Sequence, residues 1–307
     1  MTGVNVVVSC TKRKSRRPLA GLDAAELPPF AGVEDRSRAW LTRLAVQREG
    51  LLRAAELYSG DHWKVALGLP QCSALPVRLW VCSAGYGLVT PSSLVAPYEA
   101  TFSSAAPSRV VNEAEQRPAW WSALAGWAGP SGDGPRSLAA LAASYPGDFL
   151  MLALSKDYLA ALGPDLCDAA RILGPSRVGV VCAGVKDFPA LPECLLPCDA
   201  RLQPLVGGAL ASLNVRVARH LLTSASRRQF SNASCRRALS TWLAAADPPP
   251  RAIRLHQDDG QVSSFLRSAL AEDPEARATP LLRRLRCQGK ACEHSRFTRL
   301  FHLARGR

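Results

Sequence analysis

The sequence predicts an α/β fold: a three-layer sandwich around a central, mainly parallel sheet, followed by a small helical C-terminal region. Three observations predict it. Four short apolar runs, at residues 4–10 (VNVVVSC), 77–82 (VRLWVC), 149–154 (FLMLAL) and 177–182 (RVGVVC), have strand length and are apolar on both faces. Strands covered on both sides of a sheet read this way. Helical patterns separate the runs, at 37–58, at 120–128 with 137–144, and at 156–173. Strand, helix, strand in repetition gives parallel strands with right-handed crossovers. Finally, the pattern changes after residue 200 to helices only, at 234–246 and 262–272, interrupted by the breaker Asp247-Pro248-Pro249-Pro250. The expected domains are therefore 1–224, α/β, and 225–307, helical, with the change falling within 224–250.

The composition agrees. The 307 residues are 48% hydrophobic and 21% charged, which excludes a disordered, collagenous or coiled-coil chain. No apolar run reaches the roughly 18–20 residues that span a bilayer. The first 17 residues run from apolar to basic, the reverse of a secretory leader, so no leader is expected. Ten cysteines are too sparse for a disulfide scaffold, and several lie inside the strand-like runs. They read as free thiols of a cytoplasmic protein.

Charge is uneven. The formal net charge is +13, and nearly all of it sits in residues 1–17 and 279–307. A concentrated positive charge points to a polyanion, most often nucleic acid. The alternative is plain solubility. The tail itself reads helix, turn, helix: Leu281, Leu282 and Leu285 form one apolar stripe, Gln288-Gly289-Lys290 the turn, and Phe297, Leu300, Phe301 and Leu303 a second stripe. This fits a helix-turn-helix, or equally an ordinary helical hairpin. Arg283, Arg284, Lys290, Arg296 and Arg299 are the candidates for the DNA backbone, with Arg13 from the N-terminal cluster.

In open α/β sheets, ligands bind at the carboxyl ends of the strands. That rule selects four loops. The first, residues 9–15, holds Ser9, Cys10, Lys12 and Lys14; the two lysines suit phosphate. The second holds Ser83, Gly85, Tyr86 and Gly87 and continues to Tyr98 and Glu99. Its glycines allow a tight turn and close approach of a ligand, and Tyr86 and Tyr98 suit stacking on a base. A tight turn with a half-buried Tyr is the alternative. The third holds Ser155, Asp157 and Tyr158, and the fourth Lys186 and Asp187. Glu99 and Asp157 are the candidate catalytic carboxylates, Glu99 ahead. Asn214 and Arg216, after a Gly-Gly turn, are candidates for a base edge and a phosphate; a capping role is the alternative for Asn214.

Other chemistries find little support. There is neither a GxGxxG nor a Walker A sequence, and no cofactor is expected. Cys194-x3-Cys198 and Cys287-x4-Cys292, near His294, lie far apart and neither pair is CxxC, so unligated thiols are expected rather than a metal site. None of His62, His220, His256, His294 and His302 follows a candidate core strand.

Several motifs together resemble a known family. Ser9-Cys10-x-Lys12-x-Lys14, Glu56-Leu57-Tyr58-Ser59-Gly60, Ser83-Ala84-Gly85-Tyr86-Gly87-Leu88-Val89 and Pro97-Tyr98-Glu99-x-Thr101 resemble a set found in a family of bacterial and phage proteins. That family looks related to the catalytic core of archaeosine synthase, whose fold is similar to uracil-DNA glycosylases. The resemblance covers roughly residues 4–105 well. It implies a uracil-DNA glycosylase-like fold and, with the basic tail, a DNA glycosylase. In outline this is similar to a bacterial anti-phage glycosylase acting on glucosylated hydroxymethylcytosine. The partner would be double-stranded DNA carrying modified bases, and the enzyme a monomer. The water-activating motif GQDPY of uracil-DNA glycosylases does not occur, so Glu99 or Asp157 would replace its carboxylate. Two alternatives stand beside this: a non-catalytic nucleic-acid-binding module, and a deazaguanine-type transferase or lyase on tRNA or DNA.

Overall fold

A computed structural model of the chain describes residues 3–29, 31–130, 134–224, 230–247 and 255–306. It divides into two compact units, Met1–Pro248 and Pro249–Arg307.

The first unit is α/β with a central mixed sheet of six strands flanked by helices. In chain order the strands are β1 (Val4–Ser9), β2 (Val77–Ser83), β3 (Gly87–Val89), β4 (Phe149–Ala153), β5 (Val178–Val181) and β6 (Leu195–Leu196). Their spatial order is β3-β2-β1-β4-β5-β6. Every pairing is parallel except the β2–β3 hairpin. The four runs predicted from sequence are β1, β2, β4 and β5. β1 lies at the centre, with Val4 opposite Val77 on one side and Phe149 on the other. All six of its residues are buried. Its single amide, Asn5, is satisfied by Asp148 and by the Trp80 indole N–H, as burial of a polar group requires.

The longer helices described in this unit are α1 (Val33–Val46), α2 (Asp61–Leu67), α3 (Arg117–Gly126), α4 (Leu138–Ser144), α5 (Lys156–Leu173), α6 (Leu213–Thr223) and α7 (Asn232–Ala245). They pack in two sets. α1, α3, α4 and α5 lean on one another; α6 covers β4 and β5, α7 covers β5 and β6, and α2 packs on α6. α5 buries Leu159, Leu162, Leu166, Ala169 and Leu173, the spacing of one helical face.

Three expectations need correction. The helix expected over 37–58 is broken: α1 ends at Val46, Gly50 turns the chain at φ 65°, Leu52–Arg53 pairs with Leu94–Val95, and only one further helical turn follows, Ala54–Leu57. The domain boundary is at 248/249, not 224/225. α7 belongs to the first unit because Cys235, Leu239 and Leu243 join its core and Asn232 Nδ2 donates to Val178 O at 2.6 Å. In the tail, Leu303 is 65% exposed rather than part of the apolar stripe.

The second unit has α8 (Asp259–Glu272), α9 (Ala278–Cys287) and α10 (His294–Ala304). Val262, Leu266, Leu281, Leu285, Phe297 and Phe301 form its core. Between α9 and α10, Lys290–Ala291 pairs in parallel with Leu255–His256. The connector is thus a strand in a ladder, not the short turn of a helix-turn-helix. Among the described residues no helix is long and apolar enough to cross a membrane.

Candidate functional site

The strand order changes direction between β1 and β4: the chain continues from β1 towards β2 and from β4 towards β5. Loops leaving such neighbours diverge and leave a crevice at the carboxyl ends. A cavity of about 350 Å³ lies there, within the range of ligand pockets. Ser9 to Lys12 enter it after β1, and Ala153, Ser155 and Tyr158 enter after β4. Ser59 to His62 at the start of α2, and Ala209 to Asn214 at the start of α6, complete it.

Its polar groups are interlocked. Cys10 Sγ lies 2.9 Å from the Tyr158 hydroxyl. The Ser155 N–H donates to Ser9 Oγ at 3.3 Å. His62 Nε2 lies 3.1 Å from the Ser9 carbonyl, which can only accept, so Nε2 carries the proton. Burial lowers the His62 pKa below 6.5, so the ring is neutral at pH 7 and Nδ1 is an acceptor. Asp61 accepts from Ser212 Oγ at 2.5 Å and from Arg216 Nη2 at 2.7 Å. The Ser212 hydrogen bond first, and then Arg216, hold its carboxyl below the usual range.

Of the residues expected at the site, Ser9, Cys10, Lys12, Ser155 and Asn214 line the cavity. Asn214 is not available to read a base edge. Its Oδ1 accepts from the Ala183 N–H at 2.8 Å and its Nδ2 donates to the Leu154 carbonyl at 2.6 Å. It ties the ends of β4 and β5 to α6. Arg216 holds Asp61 rather than standing free for phosphate.

The second loop is not part of the cavity. Ser83, Tyr86 and Tyr98 are buried, so neither ring offers a face for stacking. The Trp40 and Trp120 indoles donate to the carbonyls of Gly85 and Ala84, at 2.7 and 2.8 Å, and seal the turn. Gly85 is small because Tyr98 needs the space: a Cβ there would fall 2.5 Å from the ring. Tyr86 packs edge-on against Tyr98, and its hydroxyl accepts from the Ala96 N–H at 2.9 Å. Tyr86 also borders a different groove, with Leu94 and Trp127. That groove also measures about 350 Å³ and is lined by Gln47 and Arg48 as well, but none of the loops after β1 and β4 enters it.

Both carboxylates chosen from sequence are also outside the cavity. Glu99 pairs with Lys14 at 3.6 Å, and the Lys14 ammonium lies 4.5 Å from the centre of the Tyr98 ring. Lys14 is therefore half-buried structure, not a phosphate ligand. Asp157 pairs with Arg117 at 3.1 Å. The carboxylate that does enter the cavity is Asp61, with His62 beside it. Sequence reasoning passed over both because no core strand precedes them. The signal was the adjoining Tyr58-Ser59-Gly60, where Gly60, at φ 98°, turns the chain into α2.

Arg13 is exposed. In the second unit Arg283 is exposed and Lys290 half-buried. Arg284 pairs with Glu272 and Arg299 with Asp259; Arg296 holds Asp259 and the Gln257 carbonyl. Exposed ion pairs of this kind are worth little. Cys194 and Cys198 lie buried in the first unit, pushed up by burial to about 11 and about 12. Cys287 and Cys292 belong to the second unit. Among the described residues no group of three or more His, Cys, Asp or Glu side chains could hold a metal ion.

These features define a class: an α/β domain with a ligand cavity at the switch point of a mainly parallel sheet, followed by a small basic helical unit. No family model matches the sequence, and none of the curated proteins compared with it matches either. The functional reading therefore rests on the residues themselves.

Proposed function

We propose that the chain is a DNA N-glycosylase that turns a modified nucleotide out of the duplex into the cavity between β1 and β4. The supporting observation is an ionised carboxylate, Asp61, in a switch-point cavity whose rim carries Lys12. Base excision needs such a group to orient water or to face the cationic sugar of the transition state. Eversion needs cationic anchors for the flanking phosphates, and Lys12, Arg13 and the arginines of the second unit have that charge. In this reading the sheet is related to the uracil-DNA glycosylase-like fold. The substrate is double-stranded DNA carrying a bulky modified base such as glucosylated hydroxymethylcytosine, and the enzyme is a cytoplasmic monomer.

The test is incubation with modified and unmodified duplexes, reading abasic sites. Asp61→Asn should lower their formation by about 10²–10⁴-fold, as loss of a proton-transfer group does, while Glu99→Gln changes it less than about 3-fold, since a group outside the cavity takes no part. No abasic sites on any modified duplex would refute the proposal. One observation favours a second reading, a non-catalytic nucleic-acid-binding module: both Asp61 oxygens are already engaged, by Ser212 and Arg216. It predicts salt-dependent DNA retention without product.

A further inference from the structure

The cavity contains a group that this reading leaves unused. Cys10 Sγ lies 2.9 Å from the Tyr158 hydroxyl and 3.7 Å from that of Tyr98. The direction of the hydrogen bonds around it follows from counting donors. Ser83 Oγ accepts from the N–H groups of Gly85 and Tyr86, at 3.1 and 3.0 Å. A hydroxyl has two acceptor lone pairs, so both are taken. The Ser83 proton must then go to the Tyr98 oxygen, 2.6 Å away. The buried Tyr58 hydroxyl meets Tyr98 at 2.9 Å. The Tyr98 proton is directed to Cys10 Sγ and so is not given to Tyr58. Tyr58 therefore donates to Tyr98, and Tyr98 donates to Cys10. Burial holds Tyr58, Tyr98 and Tyr158 well above the usual phenol range, so all three remain donors at neutral pH. The Tyr98 O–H ends on the sulfur, and the Tyr158 hydroxyl, 2.9 Å away, can donate to it as well once the thiol gives up its proton. Such donors stabilise negative charge developing at the atom they face. This end point opens, with Tyr158, into a cavity that Ser83, Tyr58 and Tyr98 do not line.

We propose that Cys10 is the nucleophile of this cavity and that it attacks the anomeric carbon of a bound nucleotide. The choice of a nucleotide rests on the glycosylase reading; the reactivity of the thiol does not. In the first step the thiol proton passes to Nδ1 of His62, whose ring lines the same cavity. The sulfur electron pair forms an S–C1′ bond as the C1′–N bond breaks. The base leaves with the electrons of that bond and takes the proton from His62. In the second step water adds at C1′, the S–C1′ bond breaks, and the water's proton returns to the sulfur. The products are free base, an abasic sugar and the original thiol. Asp61 orients the water of the second step.

The experiment has two arms. In the first, the intact protein is treated with iodoacetamide at neutral pH, and each cysteine is followed by peptide mass spectrometry. Cys10 should be alkylated at least about 10-fold faster than Cys287, the exposed cysteine of the second unit, because hydrogen bonds to a charged group act on that scale. Tyr158→Phe should slow Cys10 by about 10-fold and leave Cys287 unchanged. A Cys10 rate at or below that of Cys287, or one indifferent to Tyr158→Phe, overturns the proposal. In the second arm, Cys10→Ser is incubated with the modified duplex, and the wild type is quenched early and its mass read for a sugar adduct on Cys10. Loss of abasic sites in the variant together with the adduct in the wild type is the expected result. Undiminished abasic sites in Cys10→Ser overturn the covalent step while the glycosylase reading stands. Fast labelling of Cys10 with no abasic sites from the wild type overturns the glycosylase reading and the nucleotide as ligand, and leaves the reactive thiol.

Discussion

Two loops of this protein begin alike and end differently. Residues 9–14 follow β1, and residues 83–99 follow β2; both leave the carboxyl end of a buried parallel strand, and both carry hydroxyls and cations or aromatic rings. The first borders the cavity between β1 and β4, while residues 83–89 of the second are buried in the core. The neighbours make the difference. Beside β1 the chain leaves the sheet towards opposite edges, so nothing fills the gap above β1 and β4. Beside β2 the chain returns at once as β3, and Trp40, Trp120 and Tyr98 pack over the turn. A strand end becomes a site where connections diverge, not merely where polar residues collect.

That contrast can be tested by substitution. Trp120 is fully buried and its indole holds the Ala84 carbonyl; Trp120→Ala should destabilise the fold by about 3–5 kcal/mol in urea unfolding, the usual loss for a core Trp. A comparable loss of activity without loss of stability would show that the second loop is a site after all. Gly85→Ala should cost about 1–3 kcal/mol, the range for overpacking, because the new methyl meets the Tyr98 ring. A neutral result would mean that the ring can yield. At the cavity, Asn214→Ala strands the Ala183 N–H and the Leu154 carbonyl. It should lower stability by about 1–2 kcal/mol and leave any preference among modified bases unaltered, which a panel of duplexes would reveal.

The smallest expected effect concerns pH. The folded-state pKa of His62 lies below its ordinary 6.5, because burial disfavours the imidazolium. As pH falls, the unfolded chain binds the proton first, so folding stability declines below about pH 6.5 and is unaffected well above it. His62→Gln should flatten the unfolding midpoint between about pH 7 and 5. An unchanged slope would place the ring in contact with solvent and weaken its role as a base in the cavity.

Part of the site was legible in the chain. Ser9, Cys10, Lys12 and Ser155 lie directly after apolar runs, so strand recognition and the carboxyl-end rule were enough to find them. Asp61 and His62 were not, because they follow a glycine turn rather than a strand and enter the cavity only when α2 packs on α6. Glu99 looked suitable for the opposite reason: it follows Tyr98 in a conspicuous motif, but its partner proved to be Lys14. The boundary between the units was misplaced because a helix after a loop reads the same whether it covers the sheet or begins a new core.

The sequence alone determined four of the six strands of the central sheet and the class of fold, since runs of apolar residues and their spacing are local properties of the chain. Only the tertiary structure decided which loops open and which close, and which charged groups are free. Those outcomes depend on contacts between distant residues, such as Ser212 and Arg216 reaching Asp61, or Trp40 and Trp120 closing over residues 84–85. No local pattern encodes such contacts.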